Sequence, residues 1–192
     1  MIAILKYNAG NIKSVQNALQ RLGYESIITD DPNELKGSEK VIFPGVGEAA
    51  SAMRYLNERG LAETIRSLTQ PVLGICLGLQ LMCRYTEEGK TPCLGIFNTD
   101  VRLFPPVDKV PHMGWNNFMT LRGQLFNGVT RDEDVYYVHS YYPEVCSSTA
   151  AVCEYILPFS AALQKDNFFA TQFHPEKSSL TGEKILKNFL EL

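Results

Sequence analysis

Cys76 stands in the stretch PVLGICLGLQ, residues 71–80, with an apolar run before it and Gly74 and Gly78 two residues to either side. A thiol in that setting is either small apolar filler, as most buried cysteines are, or a nucleophile carried on a turn. The second role requires a base, and a group that orients the base. Three histidines are available: His112, His139 and His174. His174 is the best placed, in FFATQFHPEKSS, where Glu176 follows two residues later. In an extended segment residues two apart share a side. Glu176 can then hold one imidazole nitrogen and leave the other for Cys76, with Pro175 restraining the backbone between them. His139, in YYVHSYY, reads as a structural strand histidine or a pocket wall. No ligand spacing supports three histidines converging on a metal, and no metal is expected.

The turn around Cys76 has a physical logic of its own. Glycines before and after leave no Cβ to crowd a sharp strand-to-helix bend, which holds the side chain out at the carboxyl edge of a sheet. Free N–H groups at the start of the following helix favour thiolate and can serve an oxyanion. FPGVGEAA, residues 43–50, poses a different choice. Gly45, Gly47 and Ala50 fit a G-x-G-x-x-A dinucleotide pattern, but it follows the third strand instead of the first and opens on Pro44. The glycines better suit a loop that changes conformation and offers a backbone N–H to a developing oxyanion. No cofactor is expected.

The elements that must position these groups follow from the apolar pattern. MIAILKY reads as a first strand and NAGN as a turn. Ile12, Val15, Leu19 and Leu22 then recur at helical spacing, with Asn11 available as a cap and Gly23 as the stop. YESIIT and KVIF are the second and third strands. Helical stretches run through Ala49, Met53 and Leu56, then through Leu61, Ile65 and Leu68; PVLGI is the fourth strand and LGLQLMCRY a helix. This alternation predicts an α/β fold, a mostly parallel doubly wound sheet flanked by helices. After about Glu87 the pattern changes to short β pieces: TDVRLF, NNFMTL, VYYVHSYY, AAVCEYI, SAALQK and FFATQFH. They predict an additional antiparallel portion in the C-terminal half, with a hairpin tip at DNFF and a last helix over 180–192.

Composition limits the partners. The 192 residues suit one domain spanning 1–192. A formal net charge of -3 favours neither nucleic acid nor an anionic membrane. Apolar runs such as Val72–Ile75 are too short to cross a bilayer, and the N-terminus shows no signal peptide. The five cysteines are odd in number and contain no C-x-x-C pair, so a reducing cytoplasm is expected.

Together, in this order and spacing, PGVG, GICLGLQ and FHPEKS resemble a class I, triad-type glutamine amidotransferase over essentially the whole chain, as a freestanding glutaminase subunit. YNAGN, PHMGWN (residues 111–116) and YYVHSYY are similar to the glutaminases of histidine biosynthesis. The resemblance implies hydrolysis of L-glutamine through a thioester on Cys76. His174 would protonate departing ammonia and then activate water, with Glu176 orienting it. It implies an oxyanion near the backbone N–H of Leu77 and of Val46 or Gly47, and substrate α-groups near Gly47, Gln80, Glu88, Ser140 and Tyr141. It also implies a heterodimer with a (β/α)8-barrel cyclase that receives the ammonia. Tyr7, Asn11, Met113 and Trp115 are the candidates for the docking face, with a core position the alternative for Met113 and Trp115. Lys6 and Asn8 flank Tyr7 where many relatives carry an acid and a glycine.

Other readings use the same residues differently. A paralogous amidotransferase would serve surface-sugar biosynthesis, and a related glutaminase serves pyridoxal phosphate synthesis. A cysteine peptidase on a similar fold would cleave peptides and ignore free glutamine. A flavodoxin-like binding module would keep Cys76 as a redox thiol and have no activity for His174 to support.

Overall fold

The computed structural model describes residues 1–8 and 10–192; Ala9, in the NAGN turn, lies outside the described residues. The chain runs through β1 (Ile2–Leu5), α1 (Ile12–Arg21), β2 (Ser26–Thr29), α2 (Pro32–Gly37), β3 (Lys40–Phe43), α3 (Ala49–Glu58) and α4 (Leu61–Arg66). Then come β4 (Val72–Ile75), α5 (Leu77–Met82), β5 (Tyr85–Thr86), β6 (Thr91–Pro92), β7 (Asp100–Leu103), β8 (His112–Asn116) and β9 (Thr120–Leu121). It closes with β10 (Val135–His139), β11 (Tyr141–Pro143), β12 (Thr149–Tyr155), β13 (Leu157–Lys165), β14 (Phe168–Thr171) and α6 (Ser179–Leu190).

The main sheet has the order β2-β1-β3-β4-β14-β13-β12-β9. Its first five strands are parallel, and β13, β12 and β9 continue it antiparallel. Strand periodicity sends alternate residues to opposite faces. Ile2 and Ile4 therefore join one core with Val15 and Leu19 of α1 and Ile185 and Phe189 of α6. Ala3 and Leu5 join the other, with α2, α3, α4 and α5. This is the expected α/β sheet with its antiparallel extension, except that FFATQFH, expected in the antiparallel portion, supplies β14, which pairs parallel with β4 and antiparallel only with β13.

Two smaller sheets stand apart from it: the antiparallel pair β8–β10, and β11-β7-β5-β6. VYYVHSYY, read as one strand, breaks at Ser140, so Val135–His139 pairs with β8 while Tyr141–Pro143 pairs with β7. Among the described residues, no helix is long and apolar enough to cross a membrane.

Candidate active site

The carboxyl ends of the neighbouring strands β3, β4 and β14 bring three stretches together: residues 44–48, Cys76, and residues 172–176. Open α/β sheets take ligands at this edge. Cys76 has φ 53° and ψ -104°, a backbone region that residues with a Cβ rarely occupy. Its N–H donates to the Thr171 carbonyl at 2.8 Å, and its carbonyl accepts from the Gln80 N–H at 3.2 Å. The bend works only because the next turn of chain has no Cβ at Gly78, where one would lie 1.9 Å from the Phe43 carbonyl oxygen.

His174 Nδ1 pairs with Glu176 Oε1 at 2.8 Å, with both side chains buried. The extended backbone suggested by the spacing is not how they meet. Pro175–Lys177 forms a 3-10 turn that brings Glu176 back to the ring. Proline's fixed φ suits the first position of such a turn. Ser178 Oγ closes it by donating to the His174 carbonyl at 2.6 Å, and Gly182 of α6 packs where a Cβ would be 2.0 Å from the Pro175 oxygen. Asn11 Nδ2 donates to the same Glu176 oxygen. Asn11 occupies the N-cap position of α1 but makes no side-chain cap bond, so the expected cap is replaced by this tie to Glu176.

The other imidazole nitrogen of His174, Nε2, has no hydrogen-bond partner among the described residues. Burial lowers the pKa of this imidazole, but the nearby Cys76 sulfur, when charged, and the Glu176 carboxylate outweigh burial and push it up to about 10. This environment favours the imidazolium form of His174.

Cys76 opens on a cavity of about 300 Å³ lined by Val46, Gly47, Cys76, Leu77, Gln80, Glu88, Pro111, Val138, His139, Ser140 and Tyr141. Gly47, Gln80, Glu88, Ser140 and Tyr141, named from sequence, all stand on its wall. Gln80 Nε2 donates to the Tyr141 carbonyl at 3.0 Å. Glu88 accepts from the Ala49 N–H at 2.9 Å; burial, helped by Glu48 and opposed by that N–H, raises its carboxyl pKa. A larger hollow of about 500 Å³ between Pro71, Asn167 and Asn188 lies at the opposite, amino edge of β4 and β14 and is lined by neither cysteine nor histidine.

The glycine loop is held by named contacts. The Leu77 N–H donates to the Gly45 carbonyl at 3.2 Å, and the Val46 carbonyl accepts from the Gly10 N–H at 3.0 Å. Gly47 lies at φ 144°, a conformation that suits glycine. The Leu77 donor is thus engaged by the loop and not open to the cavity. Tyr7, expected on a docking face, is buried, and its hydroxyl donates to the Pro44 carbonyl at 2.6 Å. It shapes this loop from beneath. Met113 and Trp115 are instead exposed, at 59% and 54%, so the core alternative does not hold for them. They point outward from β8, with Trp115 edge-on to Tyr136.

Two features escaped the sequence reading: the place of Gln172, and the pairing of His112 with His139, which stands in a strand and on the cavity wall as read. Gln172, fully buried at the end of β14, places Nε2 3.7 Å from Cys76 Sγ. His112 and His139 form a buried pair, Nδ1 to Nε2 at 3.0 Å. His139 Nδ1 donates to the Tyr141 carbonyl at 2.8 Å, so its Nε2 accepts from His112, whose own Nε2 accepts from Asn116 at 3.3 Å. Burial first, then the neighbouring imidazoles, leave His139 at about 3, and burial leaves His112 at about 4. Among the described residues, no three His, Cys, Asp or Glu side chains converge as a metal site would require.

A cysteine on a strained elbow, a histidine–glutamate pair and an adjoining cavity with a few polar groups are the parts an acyl-transfer site needs. The sequence model of the family described as glutamine amidotransferase class-I matches residues 4–192. The chain belongs to that family. The protein named imidazole glycerol phosphate synthase subunit HisH from Bacteroides fragilis (strain YCH46) is 62% identical over 194 residues, covering 100% of this chain and 99% of that one. The protein of the same name from Haemophilus influenzae (strain ATCC 51907 / DSM 11121 / KW20 / Rd) is 44% identical, covering 99% and 96%. Among solved structures, one described as a glutamine amidotransferase superposes with a TM-score of 0.75 at 18% identity, covering 99% of this chain and 97% of that one. At that identity it speaks for the fold alone.

Proposed function

We propose that the chain is the glutaminase subunit of an imidazole glycerol phosphate synthase, working in the cytoplasm and passing ammonia to a (β/α)8-barrel cyclase. The observation that carries the chemistry is the buried His174–Glu176 pair, set beside Cys76 where the cavity opens, with Nε2 left free for the reaction. The Cys76 thiolate attacks the side-chain amide carbon of glutamine and forms a tetrahedral oxyanion. The C–N bond then breaks as His174 Nε2–H protonates the leaving nitrogen, which departs as ammonia and leaves a thioester. His174 next takes a proton from water as its oxygen attacks the acyl carbon. The C–S bond breaks, and glutamate leaves. Glu176 holds the ring in place, and Gln80, Glu88 and the Ser140–Tyr141 backbone receive the substrate's α-groups.

Leu77 can stabilise the oxyanion only after the Gly45 carbonyl releases its N–H. That engaged donor supports a subunit that is nearly inactive alone and is activated when the cyclase docks, with exposed Met113 and Trp115 in the docking face. Neither relative described above carries a surface-sugar name. The test is intact mass after incubation with a diazo-ketone analogue of glutamine, with and without the cyclase. One adduct, absent from Cys76→Ala and competed by free glutamine, is expected. No adduct even with the cyclase present would sink the proposal.

A further inference from the structure

The amide groups beside Cys76 are oriented without ambiguity, although amide oxygen and nitrogen are otherwise interchangeable in shape. A backbone carbonyl only accepts, so the Gln80 atom 3.0 Å from the Tyr141 oxygen is an N–H donor. The same Gln80 nitrogen lies 3.1 Å from the side chain of Gln172, which must therefore present its oxygen there. Gln172 is left with only its NH2 group to turn toward Cys76 Sγ, 3.7 Å away. Rotating that amide would set two NH2 groups against each other and an oxygen lone pair against the sulfur. Gln172 is completely buried, and its backbone is anchored by an N–H bond to the Ala161 carbonyl at 2.8 Å. Burial keeps solvent from competing for its donor, and a hydrogen bond to a charged acceptor in such a place is stronger than one between neutral groups.

We propose that Gln172 stabilises and aims the Cys76 thiolate through its side-chain N–H, and that Gln80 and the Tyr141 carbonyl fix the direction of that bond. The inference rests on Cys76 being the nucleophile. It gives the cavity wall a second duty, because Gln80 and Tyr141, which face the substrate, also set the hydrogen bond to the attacking atom. Whatever shifts Tyr141 shifts the donor on the sulfur.

The test is the pH dependence of Cys76 alkylation by iodoacetamide, mapped by mass spectrometry, with Cys76→Ala identifying signal from the other thiols. Gln172→Leu removes the donor. At the usual strength of a bond to a charged group, the midpoint of the profile should rise by about 1 to 2 in pH. Gln172→Glu keeps the shape but sets a carboxylate against the sulfur, and its midpoint should rise at least as far. It carries the test should Gln172→Leu fail to fold, as judged by thermal melting. A folded variant with the wild-type midpoint overturns the role of Gln172. Wild-type Cys76 that reacts no faster than half-exposed Cys146 at any pH overturns the nucleophile assignment itself.

Discussion

Replacing Gly78 with alanine should disable the site from outside it. The added Cβ would lie 1.9 Å from the Phe43 carbonyl oxygen, against a floor of 3.0 Å that real contacts essentially never cross. Relief requires α5 and the end of β3 to separate by about 1.1 Å. The obstacle is backbone, so no side chain can swing away, and all six residues of α5 are buried. The displacement must pass to Cys76, two residues earlier. Overpacking of this kind costs about 1–3 kcal/mol in stability, while a 1 Å error in the placement of a reacting group costs about 100-fold in rate. Gly78→Ala should therefore melt lower but remain folded, and release ammonia about 100-fold more slowly in complex with the cyclase. Gly37→Ala is the control, since nothing lies within 4 Å of its Cβ. A Gly78→Ala protein with ammonia release within threefold of wild type would refute the reasoning, because the close approach would then not be what holds the elbow.

Other outcomes follow from the same geometry. Glu176→Gln keeps the shape of the pair but removes the carboxylate that helps hold the His174 proton; turnover in the complex should fall at least tenfold, and unchanged turnover would remove Glu176 from the mechanism. The depressed values of His112 and His139 mean that the folded state binds fewer protons than the unfolded state below pH 6.5, so stability is lost as pH falls through that window. Between pH 7 and 5 each histidine should contribute a loss of about 2 kcal/mol, read from urea unfolding; a flat profile would contradict the neutral pair. Trp115→Ala should leave the melting temperature nearly unchanged and weaken cyclase binding at least tenfold in a titration, as loss of an exposed aromatic anchor does. Intact affinity would take Trp115 out of the docking face.

Strands β1, β3 and β4 were legible because each appears as a short apolar run buried on both faces; the edge strand β2 is half-exposed, and the parallel pairing of β14 was not legible. The elbow was legible because glycines flank Cys76 at the spacing a tight bend demands. The pairing of His174 with Glu176 was legible too, but the backbone that joins them was not: a 3-10 turn depends on Ser178 and on the approach of Gly182, and neither signals itself locally. β8 was not read as a strand because its alternation is inverted, with Met113 and Trp115 facing out and His112 facing in. Tyr7 was misplaced because a tyrosine at a strand end serves equally as surface anchor or buried donor, and only the Pro44 carbonyl decides. Gln172 did leave a trace, as an uncharged amide in a mostly apolar run just before His174. Its partner lies 96 positions away, beyond the reach of any local pattern.

The placement of β14 also matters while the chain is being made. It is the last strand in sequence, yet it lies between β4 and β13, and it leads directly into Gln172, His174 and Glu176. Synthesis at about 5–20 residues per second therefore separates Cys76 from Gln172 by about 5–20 s. During that interval β3 can pair with one edge of Val72–Ile75, but the other edge waits for β14 and is open to mispairing. The nascent chain also carries Cys76 without Gln172, His174 and Glu176 beside it. On the proposed mechanism, a half-made subunit cannot leak ammonia.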